Sequence, residues 1–473
     1  MDAILLIRAA ALYVPLCATA VAWLACGPNR RERAAALLAT AWNVPALLAV
    51  HVVAGRLGWW SYGVSDATVA GFPVDLYLGW AVAWGALPSL LGRPLPLGLI
   101  PVGAALLDMV AMPRLAPVVR LGEPWLIGEA VAIGACLIPA QLLAKWTCDD
   151  SHVTRRAILQ ALAFGGVALG VLPTVILEQR GGSLSPLVTR SAWITGIMVQ
   201  LLLLAALPGL AAVQEFAVRG SGTPVPFDPP KRLVTTGPYA YVRNPMQLSA
   251  ALVMLGWGAI LGSWWVAGAG LMAVVYGTGF AAGDEGGDLD RRFGGAWRAY
   301  ADATRSWIPR WTPLDFRIDP AAGSLGGTTS VEGRGIPTLY VAEECGPCCQ
   351  VRAWFGARHT IGLAIVAAER HPLKSLTRIT YDPGDGTAES VGVAALGRAL
   401  EHVNLGWALV GMFVRLPGVC WLLQVATDAS GGGPNRVVRY CERPTSPSFT
   451  GSEPLNSLDP DIIERSRSRA LTP

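Results

Sequence analysis

Long apolar runs alternate with short polar connections along the first three-fifths of the chain. Runs near residues 5–26, 34–54, 74–91, 95–111, 124–144, 157–178, 191–213, 247–262 and 264–282 predict nine membrane-spanning helices. A helix needs about 20 apolar residues to cross a hydrocarbon core of about 30 Å. The fourth run is interrupted by Asp108. The last two come from one uncharged stretch of 35 residues, Leu248 to Ala282. As a single helix it would measure about 50 Å, too long for one crossing. Gly262-Ser263 offers a turn near its middle, so the stretch reads as a helical hairpin. A hairpin returns the chain to the side it left, and the polar segments before and after it meet at one membrane face.

Beyond Pro313 the pattern changes. Residues 315–335 are glycine-rich and read as a linker. A globular pattern returns over 336–443, with Thr338–Val341 as a strand and Gln350–Arg358 as a helix. Residues 444–473 are poor in apolar positions and read as disordered. The fold class expected is an all-α polytopic membrane domain followed by a small α/β domain. Its parts are N-terminal helices over 1–214, a core with the hairpin over 215–314, and the module after the linker.

Composition sharpens this. Only 15% of residues are charged, against about 25% in soluble domains. A net charge of +4, spread along the chain, gives no nucleic-acid surface. The basic loops Arg30–Arg33, Lys145–Arg156 and Arg219–Arg243 fall on the same side, which the positive-inside rule makes cytoplasmic. The N-terminus then lies outside and everything after Gly283 inside. The first run has no basic segment before it and reads as a transmembrane helix rather than a cleaved signal. Asp75, Asp108 and Glu129 fall within apolar runs, where charge is costly; the expectation is that they sit near helix ends and reach interfacial water.

Candidate chemistry concentrates on either side of the hairpin. Asn244 suits an N-cap and Pro245 the first helical position. Arg243 and Asn244 therefore stand at a helix start, where backbone N–H groups and the dipole favour an anion. Arg243 suits a carboxylate through two N–H donors, and Glu285 suits an ammonium. Tyr239, Tyr241, Trp297 and Tyr300 offer faces for a ring or a cation. Carboxylate, ammonium, adenine ring and sulfonium are the parts of S-adenosylmethionine, although the residues alone do not name that ligand.

The ordered series Gly237-Pro238-Tyr239, Arg243-Asn244-Pro245, hairpin, Glu285, Phe293-Gly294, Tyr300 and Pro309-Arg310 resembles the isoprenylcysteine carboxyl methyltransferases and their relatives, the phospholipid methyltransferases. The resemblance covers about 233–313. It implies S-adenosylmethionine as cofactor, a lipid or prenylated substrate entering from the bilayer, and a site at the cytoplasmic face. By match it assigns cofactor contacts to Arg243, Asn244, Pro245 and Glu285, with Tyr239 and Tyr300 as walls. The chain departs from the family pattern at Gln247, Gly286 and Trp297. A carboxylate acceptor needs no base; an amine acceptor would give its proton to Asp284 or Asp288.

In the C-terminal module a strand runs into Cys345-Gly346-Pro347-Cys348-Cys349 at a helix start, the thioredoxin-like arrangement. Cys345 sits where the helix end favours the thiolate, and Cys348 is placed to resolve a mixed disulfide with a partner protein. With Gly392–Leu396, Trp407 and Leu416-Pro417-Gly418, this part resembles the thiol-disulfide oxidoreductase family named for its Asp-Cys-Cys motif. Two alternatives stay open: a degenerate module used for docking, and a zinc site drawn from Cys349, Cys441, His359 and His371. At the level of the whole chain, a membrane-anchored thiol oxidoreductase and a non-catalytic scaffold stand beside the methyltransferase reading.

Overall fold

The computed structural model describes residues 3–91, 98–225, 228–276, 282–315, 335–343, 345–432, 434 and 437, without the side chains of 273, 276 and 282–285. The linker and tail expected at 315–335 and 444–473 lie almost wholly outside the described residues.

Among the described residues, six helices are long and apolar enough to cross a membrane: α1 (Ala3–Cys26), α2 (Arg30–Leu57), α3 (Val74–Leu91), α5 (Trp125–Cys148), α6 (Val153–Arg180) and α7 (Ala192–Val218). The protein is an integral membrane protein. The expected fourth span is α4 (Leu99–Ala111), whose 13 residues make about 20 Å at 1.5 Å per residue. The expected last two are α8 (Pro245–Leu261), of 17 residues, and α9 (Trp264–Tyr276), of 13. Six helices therefore meet the length of a full crossing where nine were expected.

Local chemistry explains the boundaries. The Asn29 side chain accepts from Arg31 and Glu32 N–H, and Glu32 accepts from Asn29 N–H, a capping box that starts α2. Gly262 takes a left-handed φ of 66° and ends α8. The hairpin is tight because Gly258 has no side chain; a Cβ there would lie 2.4 Å from the backbone nitrogen of Ala267. A Cβ on Gly209 of α7 would lie 2.6 Å from Ser249, so α7 and α8 also meet closely.

The three basic loops do share one face. Asp150 pairs with Arg31 at 3.0 Å, Lys231 at 2.9 Å and Arg156 at 3.2 Å. Asp75 pairs with Arg8, which also holds Asp66 at 2.8 Å. The expectation of interfacial water fails for the other two acids. Asp108 and Glu129 are buried, 4% and 6% exposed. α4 and α5 bring these two carboxyls beside each other inside the bundle.

Beyond α9 follow two polar helices, α10 (Ala282–Phe293) and α11 (Gly295–Ala303). Gly294 between them takes φ 53°. The C-terminal module holds a four-stranded sheet: β5 (Thr338–Val341), β6 (Ala364–Ala367), β7 (Thr380–Asp382) and β8 (Ser390–Val391) in the order β6-β5-β7-β8. Its numbering follows two short antiparallel pairs, β1 (Trp60–Tyr62) with β4 (Val119–Leu121) and β2 (Thr68–Val69) with β3 (Phe72–Pro73). β5 and β6 are parallel, with Leu339 opposite Ile365; β7 is antiparallel to β5 and β8 to β7. Helix α12 (Gly346–Gly356) connects the parallel pair, and α13 (Val393–Leu400), α14 (Leu405–Val414) and α15 (Pro417–Thr427) follow the sheet. Leu339, Val341, Phe355, Tyr381, Ala395 and Ala399 form its core.

Candidate functional site

The Gly237-Pro238-Tyr239-Ala240 segment is a single 3-10 turn, opened by Gly237 at φ 60°. A strap of chain after α11 lies along it. Arg243 N–H donates to Arg305 O at 2.9 Å, Arg310 N–H to Tyr241 O at 2.8 Å, and Leu314 N–H to Ala240 O at 2.8 Å. Tyr300 reaches back from α11 and its hydroxyl donates to Tyr239 O at 2.9 Å. These bonds satisfy backbone groups that a buried turn would otherwise leave unpaired. They also place the closing Pro309-Arg310 beside the turn, although some 70 residues separate them in the chain.

Most of the residues expected at a methyl-donor site lie among the described ones. Asn244 occupies the N-cap position of α8 with Pro245 at the helix start, but its side chain does not cap the helix. The first turn of α8 therefore carries no side-chain oxygen from its own N-cap, and its positive end faces the strap. Arg243 lies across the strap. Its guanidinium donates to Ala301 O at 2.9 Å and to the Ser306 hydroxyl, and stands 5.9 Å from the Trp297 ring. Two of its five N–H donors are thus spent on the protein. Tyr239 and Tyr300, expected as walls, are 6% and 1% exposed and form a core with Ala212, Leu233 and Val234. Burial pushes the Tyr300 phenol well above its ordinary range, so it acts as a neutral donor.

Asp288, on α10, is half-exposed and lies 3.6 Å from both Arg291 and Arg292. Asp284 and Glu285 belong to the first turn of the same helix; their side chains lie outside the described residues. All three acids follow the hairpin in the sequence.

The sequence reading passed over Glu215. It is fully buried under the Gly237 turn, where a Cβ on Gly237 would lie 2.8 Å from its Cγ. Its carboxylate accepts from Thr236 at 3.1 Å, pairs with Arg219 at 3.0 Å, and pairs with Arg398 of the C-terminal module. Arg219 in turn holds Asp385 at 2.9 Å, and Arg415 holds Glu401 and, at 2.8 Å, Gln214. Tyr241 donates to Glu401 O at 2.9 Å. The module is therefore docked on the turn by a buried ionic network. The signal was a lone acid near the end of an apolar helix with an arginine one turn on, a pattern that demands partners.

In the module, Cys345 is the N-cap of α12 and Cys348 lies one turn inside it, half-buried. Burial, then the neighbouring Cys345 sulfur, push the Cys348 thiol up to about 12. The Cys349 thiol points to Glu343 O at 3.2 Å. Of the zinc alternative, His371 accepts the N–H groups of Leu373 and Lys374 on Nδ1, and Cys441 lies outside the described residues.

No curated protein and no solved structure matches the chain. A family does: residues 194–284, which hold nearly all of α7, the Gly-Pro-Tyr turn, the α8–α9 hairpin and the first residues of α10, match the family model of the phospholipid methyltransferases.

Proposed function

We propose that this protein is a membrane methyltransferase that takes its methyl group from S-adenosylmethionine and delivers it to a lipid or lipidated substrate at the cytoplasmic face. The observation that carries the reading is a coincidence of boundaries. The 194–284 match covers the helices that pack as one unit, and it includes the Arg243-Asn244-Pro245 helix start and the beginning of the acidic helix. A bound S-adenosylmethionine supplies an electrophilic methyl on a sulfonium sulfur. The chain's part is to hold and orient. The positive, uncapped start of α8 suits the donor's carboxylate. Arg243, fixed by Ala301 and Ser306, keeps N–H donors for the same group. Glu285 suits the ammonium, and Trp297 offers a ring face. Because charge is lost rather than created at the sulfur, a dry, aligned pocket supplies much of the rate by positioning. With an amine acceptor, Asp288 or Asp284 takes the proton; with a carboxylate acceptor no base is needed.

The test is transfer of a labelled methyl group to extractable lipid by the purified protein in vesicles. The vesicles carry either amine-headed phospholipids or a prenylcysteine carboxylate. Label in the organic phase from either acceptor supports the reading. No label from either, with intact protein, removes it.

A second reading concerns the C-terminal module, as a thioredoxin-like thiol oxidoreductase with a thiol partner protein. Its support is the β6-β5-β7-β8 order with β5 and β6 parallel and β7 antiparallel to β5, and Cys345 at the N-cap with Cys348 behind it. Formation of a Cys345–Cys348 disulfide with mild oxidant, and its reduction by dithiol, tests it.

A further inference from the structure

The helical pair that closes the C-terminal module has inverted polarity. From Leu405 to Thr427 a single charged residue occurs, Arg415. Arg415 is 8% exposed and turned inward onto Glu401 and Gln214. Gln424 is also turned inward: it accepts Val393 N–H at 3.0 Å and donates to Asp428 at 2.8 Å. The outward positions are Val410, Phe413, Trp421, Leu422, Leu423 and Val425, between 40% and 64% exposed. A helix on a water-facing surface shows the reverse order, with its apolar stripe inward. Contiguous exposed apolar surface of this kind marks contact with another apolar phase.

The position of the pair says which phase. α14 packs through Ala408 and Met412 against Leu207 and Ala211 of α7 and against Tyr241. α7 has 27 residues, about 40 Å, and outruns a hydrocarbon core of about 30 Å by some two turns. Leu207 and Ala211 lie two to three turns from its end, level with Gly209, where the first turns of α8 meet it. α14 is therefore held at the depth where the membrane hairpin begins. Its outward side chains continue the lipid-facing surface that Leu203, Leu204 and Leu210 give α7. Between α14 and α15 the axis bends by 83° at Pro417, so the pair enters and turns rather than crossing.

We infer that α14 and α15 form a wedge embedded in the bilayer interface, so that the dithiol module is a membrane-seated part of the protein and not a soluble appendage on a linker. The occupant of the apolar face is lipid. The wedge lies in the same leaflet as the Arg243-Asn244-Pro245 helix start. Its polar side chains point inward, where Arg415 contributes to the ionic network around Glu215 and Glu401. The inference does not depend on the reaction catalysed.

The test uses the full-length protein in phosphatidylcholine vesicles containing a phospholipid with a diazirine in its acyl chain, with adducts mapped by mass spectrometry. A second arm uses Phe413→Cys, whose side chain is surface-exposed, with a membrane-impermeant maleimide. Cys349, exposed on the same module, is the internal control. The expected result is lipid adducts across 413–425 together with those on α7. Phe413→Cys should also lose maleimide labelling in vesicles where Cys349 is labelled, and regain it in detergent. Labelling of Phe413→Cys alongside Cys349 in vesicles, with no lipid adducts over 413–425, would overturn the inference. So would cross-linking of Phe413→Cys between two copies without lipid adducts, which would make a second chain the occupant.

Discussion

Glu215 and Arg398 stand 183 positions apart and form an ion pair buried on both sides. One belongs to the last turns of a membrane helix, the other to a helix of the C-terminal module. Breaking a buried pair from one side leaves an uncompensated charge, at a cost of about 3–5 kcal/mol. Arg398→Met should therefore lower the thermal midpoint of the detergent-solubilised protein and expose the 335–432 module to protease. Protection equal to that of the unchanged protein would show that the network does not hold the module.

Gly237 is constrained twice. Its φ of 60° disfavours any side chain, and a Cβ would meet Glu215 Cγ at 2.8 Å. Gly237→Ala should cost at least about 1–3 kcal/mol through backbone strain alone, with the crowding of Glu215 added. A falling midpoint measures the loss. Because Glu215→Ala itself breaks the buried pairs with Arg219 and Arg398, the comparison is a double-mutant cycle: the loss caused by Gly237→Ala should be smaller in the Glu215→Ala background if the crowding is real, and the same in both backgrounds if strain alone acts.

Asp150 joins the three basic loops. Burial by itself would raise its carboxyl, but Lys231 and Arg31 outweigh burial and hold it at about 2. The unfolded value is about 3.9. A folded value below the unfolded one means that the junction's contribution is complete above about pH 4 and is lost as pH falls towards 2. The thermal midpoint should decline across that window, and Asp150→Asn should start lower and decline less. An identical decline in the variant would show that other carboxyls carry it.

The thiols of the module should differ in rate. With its thiol pushed up to about 12, Cys348 carries almost no thiolate at pH 8. Iodoacetamide should modify exposed Cys349 well before it, read by mass mapping over time. Equal rates would contradict the buried environment given to Cys348.

The hairpin was legible in the chain because its determinants are local: Gly262-Ser263 turns it, and Asn244-Pro245 starts it. The six long helices were legible as apolar runs to within about five residues at each end; their exact limits are set by caps such as Asn29, Gly58 and Gly181, which hydropathy does not show. The helix at Leu99–Ala111 stops where its apolar run was expected to stop, but it starts later than the run, and its 13 residues fall short of a full crossing. Asp108 and Glu129 each look like an expensive charge in isolation; only the packing of α4 on α5 shows that each answers the other. Glu215, Arg398 and Arg415 were illegible as a set, since nothing local marks partners so far apart. The stretch 405–427 drew no reading as an apolar surface, because its inverted polarity emerges only when Arg415 and Gln424 are seen to face inward. Around the candidate site, the Gly237–Pro245 and Pro309-Arg310 segments that the strap joins were both marked in the sequence. That Tyr239 and Tyr300 support the turn from within, and that Arg243 is braced by the strap, was not.

The central claim is that the core around the α8 helix start holds S-adenosylmethionine. Equilibrium binding of S-adenosylmethionine to the purified protein in detergent, by calorimetry, tests it most directly, with Arg243→Ala and Glu285→Ala measured beside it. The account predicts saturable binding by the unchanged protein, weakened by about 1.5–3 kcal/mol in each variant for the loss of one charge-assisted hydrogen bond. No binding by the unchanged protein, or equal binding by all three, would contradict it.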